Sequence, residues 1–178
     1  MNEDTSPARI ALKWGLLTAL VELLVTSIRY AMHEYVNFTF QGMTFVILVA
    51  GTILAMRELR LANGGWLSIR EGLSMGLLMF AVIGILDTTY QQIYQSYVDT
   101  SYTQTVLEQT RNMMERSGAK DEQLDMFDEQ VEKMDDQPAK GMAGIAFIGG
   151  VLTWILGGLF LSLIIAAFMR RVKSNPFD

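Results

Sequence analysis

The sequence predicts an all-α polytopic membrane protein: a four-helix transmembrane bundle with an extramembrane helical hairpin between helices 3 and 4. Three observations support this fold class. Uncharged apolar runs reach 29 residues in a chain of 178. The chain has 14 basic and 19 acidic side chains, and 16 of these 33 fall within residues 99–140, so the rest is depleted in charge. Cys is absent, which excludes a disulfide framework, a thiolate metal site and a cysteine nucleophile.

Two uncharged runs are long enough to cross a bilayer without interruption. A hydrocarbon core of about 30 Å requires roughly 20 apolar residues at about 1.5 Å each. Residues 141–169 contain no charge over 29 positions, and residues 35–56 contain none over 22. They predict transmembrane helices at 142–169 and 37–56.

The other two spans contain charged residues. Residues 72–86 are uncharged, and the apolar pattern continues beyond Asp87, which predicts a helix at 70–94. A helix at 10–30 is the least apolar span because it holds Lys13, Glu22 and Arg29. We expect it to be retained and not cleaved as a signal peptide, since Glu22 interrupts its apolar region and no small-x-small cleavage site follows. Residues 1–178 thus form a single membrane domain.

The basic residues predict the orientation of these spans. Loops rich in Lys and Arg remain cytoplasmic. The basic residues on one side of the four spans are Arg9, Lys13, Arg57, Arg60, Arg70, Arg170, Arg171 and Lys173. All six Tyr fall at the opposite ends, as interfacial anchors do. We therefore expect a multi-pass inner-membrane protein with both termini in the cytoplasm.

Residues 99–140 form an acidic insert with 11 acidic and five basic side chains. Its apolar residues recur at helical spacing, and Gly118 interrupts the pattern, so two short amphipathic helices are predicted. The acidic residues are interpreted as a solvated face. A divalent-cation site lacks support because the EF-hand order of acidic residues around Gly is absent.

Polar residues on the first helix form one stripe. Gly15, Thr18, Glu22, Thr26 and Arg29 are three or four positions apart and occupy an arc of about 80°. Glu22 is predicted near the bilayer centre, where an unpaired charge costs several kcal/mol.

This stripe supports two alternatives for Glu22. It is either a proton or ion site, or a carboxyl group that hydrogen-bonds a neighbouring helix and holds the bundle together. Asp87 is predicted near the outer interface, where Arg29 could pair with it. These three residues form the candidate intramembrane polar site.

Small residues recur every four positions on the third and fourth spans, which allows helix backbones to approach closely. The predicted packing residues are Gly72, Gly76, Gly158, Ser162 and Ala166. A second run of this kind comprises Gly149, Thr153 and Gly157.

Three segments resemble a bacterial family of small four-helix membrane proteins classified as a domain of unknown function. They are NGGWLSI at 63–69 with the two glycines that follow, residues 93–118, and GLFLSLIIA at 158–166 before two arginines. The resemblance covers nearly the whole chain. It implies a four-helix inner-membrane protein and supplies no catalytic residues.

Two functions remain open at the level of sequence. The leading hypothesis is a non-enzymatic structural or partner-binding membrane component, and the alternative is a small oligomeric transporter or proton-coupled permeation unit that uses Glu22. An enzyme is not expected, because the chain has no nucleophile elbow and no zinc-binding His-Glu-x-x-His. No cofactor or metal is predicted. The expected partners are the lipid bilayer and a second copy or another membrane protein; the net charge of −5 argues against nucleic acid.

Overall fold

The computed structural model describes residues 6–135 and 142–171, which form six α-helices. They are α1 (Pro7–Ala31), α2 (Phe38–Ala62), α3 (Ile69–Ile93), α4 (Tyr102–Arg116), α5 (Asp121–Asp135) and α6 (Met142–Met169). One π-helical turn, Tyr94–Val98, continues α3. Helices α1, α2, α3 with its π turn, and α6 are long and apolar enough to cross a membrane. The predicted all-α fold class is thereby confirmed.

The predicted end of the second helix at residue 56 is too early, because α2 continues to Ala62. Its last two turns carry charged residues that have partners: Glu58 accepts hydrogen bonds from Lys13 and from the indole nitrogen of Trp14. The helix ends where Gly64 and Gly65 adopt φ angles of 70° and 95°, a conformation that favours glycine.

The four long helices pack in a fixed order. α3 lies between α1 and α6, α1 also contacts α2, and α2 and α6 contact each other less extensively. We call the end of the bundle at Lys13, Glu58 and Arg171 the basic end. The opposite end, where Tyr30 and Tyr102 meet, is the tyrosine end.

The α3–α6 seam follows a strict four-residue register. The facing pairs are Gly72 with Ala166, Gly76 with Ser162, Phe80 with Gly158, Gly84 with Trp154, and Thr88 with Gly150. In each pair at least one residue is small, which lets the two helices approach closely. All five predicted packing residues lie in this seam. The second run of small residues faces away from it, since a methyl group at Gly149 or Gly157 would have no atom within 4 Å.

Helices α4 and α5 form the predicted hairpin, and Gly118 has φ 83° in the turn between them. Arg111 of α4 pairs with Asp128 of α5 at 3.0 Å. Gln109 attaches α4 to the α1–α2 connection: its amide nitrogen donates to the carbonyl of His33 at 2.6 Å, and its amide oxygen accepts from the backbone of Val36 at 2.9 Å. Residues 136–140 of the predicted insert lie outside the described residues.

Candidate functional site

Glu22 is buried in the interior of the bundle. Its side chain is 2% exposed, and its Oε1 atom accepts a hydrogen bond from the Thr26 hydroxyl at 2.7 Å. The other oxygen, Oε2, is buried and has no hydrogen-bond partner among the described residues. Thr18 and Thr26 are buried on the same face, so the polar stripe on α1 faces other helices and not lipid.

Asp87 lies at the level of Glu22, whereas the sequence predicted different depths for the two residues. Helices α1 and α3 run in the same direction, with Gly15 packed against Met79 and the Ser27 hydroxyl 2.8 Å from the Tyr90 hydroxyl. This register brings Asp87 to the same level of the bundle as Glu22.

The hydrogen-bond partner of Asp87 is Trp154, which the sequence analysis missed. The indole nitrogen of Trp154 donates to Asp87 Oδ2 at 2.9 Å. Gly84 makes room for this indole, because any side chain there would overlap Trp154. A Trp in the middle of an uncharged span was the available signal, since a buried indole N–H usually finds an acceptor.

Arg29 does not pair with Asp87 as suggested. Among the described residues it forms no ion pair within 4.0 Å, and its Nε atom is buried without a partner. Its guanidinium lies 5.3 Å from the centre of the Tyr30 ring, a cation–π distance. Arg29 lies seven residues after Glu22 on the same face of α1. The three predicted polar residues are therefore brought together, but without the expected ion pair.

Five of the six Tyr form a cluster next to the carboxyl pair. Tyr30 is 2% exposed, and the centre of its ring lies 4.4–5.9 Å from the other four rings of this tyrosine cluster. Those four residues are Tyr35, Tyr90, Tyr94 and Tyr102. The sequence identified tyrosines as interfacial anchors; it did not indicate that they contact each other.

A hydrogen bond at the edge of the cluster links the α1–α2 connection to the start of the hairpin. The Tyr35 hydroxyl donates to the Asp99 carboxylate. Burial, and then this bond, raise the pKa of Tyr35 above its usual range. Hydrogen bonds from Ser101 and Tyr35 lower the pKa of Asp99. His33, with φ 55°, turns the chain between α1 and Tyr35.

A polar crevice of about 320 Å³ opens between α3 and α6 at the tyrosine end. Thr88, Gln91 and Gln95 line it on α3 and its π turn, and Gly150 lines it on α6. Thr88 and Gln91 are one and four positions beyond Asp87 on the same helix. We call this the glutamine crevice; it places polar side chains within one helical turn of the carboxyl pair.

The large side chains buried toward the basic end are apolar, and the small polar side chains Thr52 and Ser162 are buried among them. Met56, Met75, Met79 and Phe80 are each at most 1% exposed. Polar groups lie next to the carboxyl pair on the side of the tyrosine end. On the side of the basic end, these Met and Phe side chains are buried. Within residues 6–135 and 142–171, no three His, Asp or Glu side chains come together to hold a metal ion.

By its fold and site, the chain is an all-α protein with four helices long and apolar enough to span a membrane, and with Glu22 and Asp87 inside the bundle. A family model described as Protein of unknown function (DUF4199) matches residues 13–171, and the chain belongs to this family. No curated protein and no solved structure matches the chain. The resemblance to an uncharacterised domain family is thus confirmed.

Proposed function

We propose that this chain is a non-enzymatic integral membrane protein that binds a proton between Glu22 and Asp87 and transmits its presence to the acidic hairpin. The observation that carries the proposal is the buried Oε2 atom of Glu22, which has no donor among the described residues, on a helix whose register against α3 brings Asp87 to the same level. The proposal combines the two sequence hypotheses: the carboxyl pair is the sensor, and the hairpin is the surface that a membrane partner contacts.

The physical basis is charge repulsion at low dielectric. Two carboxylates side by side in a protein interior repel strongly, and one shared proton replaces that repulsion with a hydrogen bond. Arg29 and Tyr30 follow Glu22 on α1, Tyr90 follows Asp87 on α3, and the uncharged Trp154 of α6 donates to Asp87. Thr26 and Trp154 each donate one hydrogen bond to the pair, and Arg29 forms an ion pair with neither carboxyl group, so a shared proton would add the interaction that Oε2 of Glu22 lacks.

The glutamine crevice supports proton access from the tyrosine end. Thr88 and Gln91, which line it, are one and four positions beyond Asp87 on α3, whereas Met75, Met79 and Phe80 are buried toward the basic end. One-sided access favours a switch over a permeation path. Proton transport, the alternative inferred from sequence, would need a second opening that an oligomer would have to provide.

The tyrosine cluster is the proposed route to the hairpin. Arg29 stacks on Tyr30, whose hydroxyl lies 3.5 Å from that of Tyr102, the first residue of α4. Loss of one negative charge beside Arg29 changes the field on this cation, and the cluster couples any movement of Arg29 to α4.

We further propose a bacterial inner-membrane location with both termini in the cytoplasm. The basic flanks and the tyrosines support this orientation, which places the glutamine crevice and the hairpin outside the cytoplasm. A single reporter Cys at Ser117 in this Cys-free chain tests it. The reporter should react with an impermeant reagent in intact cells; labelling only after the inner membrane is breached would overturn the orientation.

Trp154 provides the test of proton binding. With Trp14 and Trp66 replaced by Phe, Trp154 is the only indole and reports directly on Asp87. Its emission should titrate with pH in the otherwise native chain, because a protonated carboxyl group quenches and shifts indole fluorescence differently from a carboxylate. Asp87→Asn and Glu22→Gln should abolish the titration, while Asp128→Asn in the hairpin should retain it. An unchanged titration in both site variants would refute the proton site.

A further inference from the structure

A second polar crevice lies at the tyrosine end, between the α1–α2 connection and α4, separate from the carboxyl pair. Its volume is about 500 Å³, within the range of small-molecule sites. Glu34, Asn37 and Phe38 form one wall, and Asn112, Met113 and Arg116 form the other. The two hydrogen bonds of Gln109 hold these walls together.

This interfacial crevice contains one anion and one cation that do not neutralise each other. Glu34 and Arg116 both line it, but no ion pair joins them within 4.0 Å. Glu34 Oε2 accepts only from the Asn37 amide, at 3.2 Å. Arg116 forms no ion pair with any described residue. By contrast, Arg111 on the same helix pairs with Asp128.

The position of the crevice corresponds to the headgroup layer of a bilayer. Glu34 follows the end of α1 at Ala31 by three residues, and Phe38 is the first residue of α2. Both helices are membrane-span candidates, so these ends mark the boundary between hydrocarbon and headgroups. The Phe38 ring is 72% exposed, as expected of an aromatic anchor at that boundary.

We propose that the interfacial crevice binds the headgroup of a zwitterionic phospholipid. Arg116 would bind the phosphate in a charge-assisted hydrogen bond, and Glu34 would bind the ammonium group. Phe38 and Met113 would contact the first methylene groups of the acyl chains. A free phosphate fits less well, because Glu34 would repel it without compensation. This inference does not depend on proton binding at Glu22.

The test measures lipid binding to the full chain in detergent by native mass spectrometry. Phosphatidylethanolamine and phosphatidylglycerol with identical acyl chains are compared, since both carry the phosphate but only the first carries the ammonium group. The native chain should prefer phosphatidylethanolamine. Arg116→Gln should weaken both lipids by about tenfold, the equivalent of one charge-assisted hydrogen bond.

Glu34→Gln gives the discriminating result. It should weaken phosphatidylethanolamine and strengthen phosphatidylglycerol, because the variant loses both an attraction to ammonium and a repulsion of the anionic headgroup. A misfolded variant would lose both lipids, so opposite changes identify a direct contact. Lys120→Gln, which removes an exposed cation outside the crevice, is the charge-matched control and should bind as the native chain does.

Three results would overturn the assignment. Lipid binding unaffected by Arg116→Gln would show that Arg116 does not contact the phosphate. Equal weakening of both lipids by Glu34→Gln would show that Glu34 does not contact the ammonium group. Free phosphoethanolamine binding as tightly as the lipid would indicate a site for a soluble phosphorylated amine instead.

Discussion

The two halves of the bundle share one helix seam but have opposite interiors. Toward the basic end the core consists of apolar side chains such as Met56, Leu59, Met75 and Met79, each 0% exposed. Toward the tyrosine end the same helices enclose Glu22 and the tyrosine cluster. Because α3 and α6 keep one register through both halves, the packing of this seam does not require the buried polar groups.

The basic end is also closed by backbone and side-chain contacts. Leu67 and Arg171 form an antiparallel bridge, with both N···O distances 3.0 Å. Lys13 pairs with Glu58 beside Trp14. These contacts join the α2–α3 loop to the end of α6 and the start of α1 to the end of α2. The polar half is attached to α4 instead, so the half that contains Glu22 and Asp87 is also the half connected to the hairpin.

The largest effect is expected where the shared seam is tightest. A methyl group at Gly158 would overlap the buried Phe80 ring, whereas one at Gly157 would meet no atom within 4 Å. Gly158→Ala should therefore lower the free energy of unfolding by about 1–3 kcal/mol, the usual cost of overpacking. Gly157→Ala, the adjacent control, should be neutral or stabilising because Ala favours helix. Thermal unfolding in detergent measures both; equal effects would show that the seam is not rigid.

The second-largest effect on stability is expected when a Gln side chain is placed in the apolar half, and the same side chain in the polar half provides the comparison. Met79→Gln places an amide in the apolar half without partners and should cost about 1–3 kcal/mol. Glu22→Gln places the same amide beside Thr26 and should retain most of the stability. Met79→Leu, which conserves volume, separates loss of packing from burial of a polar group. If the two Gln variants are equally stable, water must reach the apolar half.

A smaller effect is expected from removing polarity in the polar half. Glu22→Leu leaves the Thr26 hydroxyl without its acceptor and separates Asp87 from its neighbour. It should lower stability by about 1–2 kcal/mol, the range for intramembrane hydrogen bonds in model peptides, while Glu22→Gln changes it little. A Leu variant as stable as the native chain at neutral pH would show that Glu22 is retained for function alone.

Elements set by local pattern were predictable from sequence. Uncharged runs located the four long helices, Gly118 located the hairpin turn, and three- and four-residue spacing identified the buried stripe of α1. The four-residue spacing of small residues did not predict which face of α6 packs against α3. Gly158 and Gly157 both belong to such runs, but Gly158 lies in the seam and Gly157 faces away from it.

Features that depend on how helices meet were not predictable. The level of Asp87 relative to Glu22 follows from packing of Gly15 on Met79, which no local pattern encodes. Trp154 reaches Asp87 only because Gly84 lies opposite it. The Tyr35–Asp99 contact joins residues 64 positions apart and requires both the left-handed turn at His33 and the docking of α4.

The smallest expected effect concerns the contact that joins the polar half to the hairpin. Tyr35→Phe removes the hydrogen bond to Asp99, so the free energy of unfolding should fall by less than in the variants above. This loss should depend on pH. The pKa of Asp99 is lowered in the folded state, so its stabilising contribution is present above the unfolded value of about 3.9 and is lost as pH falls through the folded pKa.

The loss of this contribution at high pH follows from the pKa of Tyr35. Its pKa is raised in the folded state, so its contribution is complete below the unfolded value of about 10 and is lost as pH rises toward the folded pKa. The stability difference between the native chain and Tyr35→Phe should thus be constant from about pH 5 to pH 9 and shrink on both sides. Tyr97→Phe is the matched control, because Tyr97 is 84% exposed and outside the cluster. A difference for Tyr35→Phe that persists unchanged to pH 3 would mean that ring packing, and not the bond to Asp99, holds the α1–α2 connection against the hairpin.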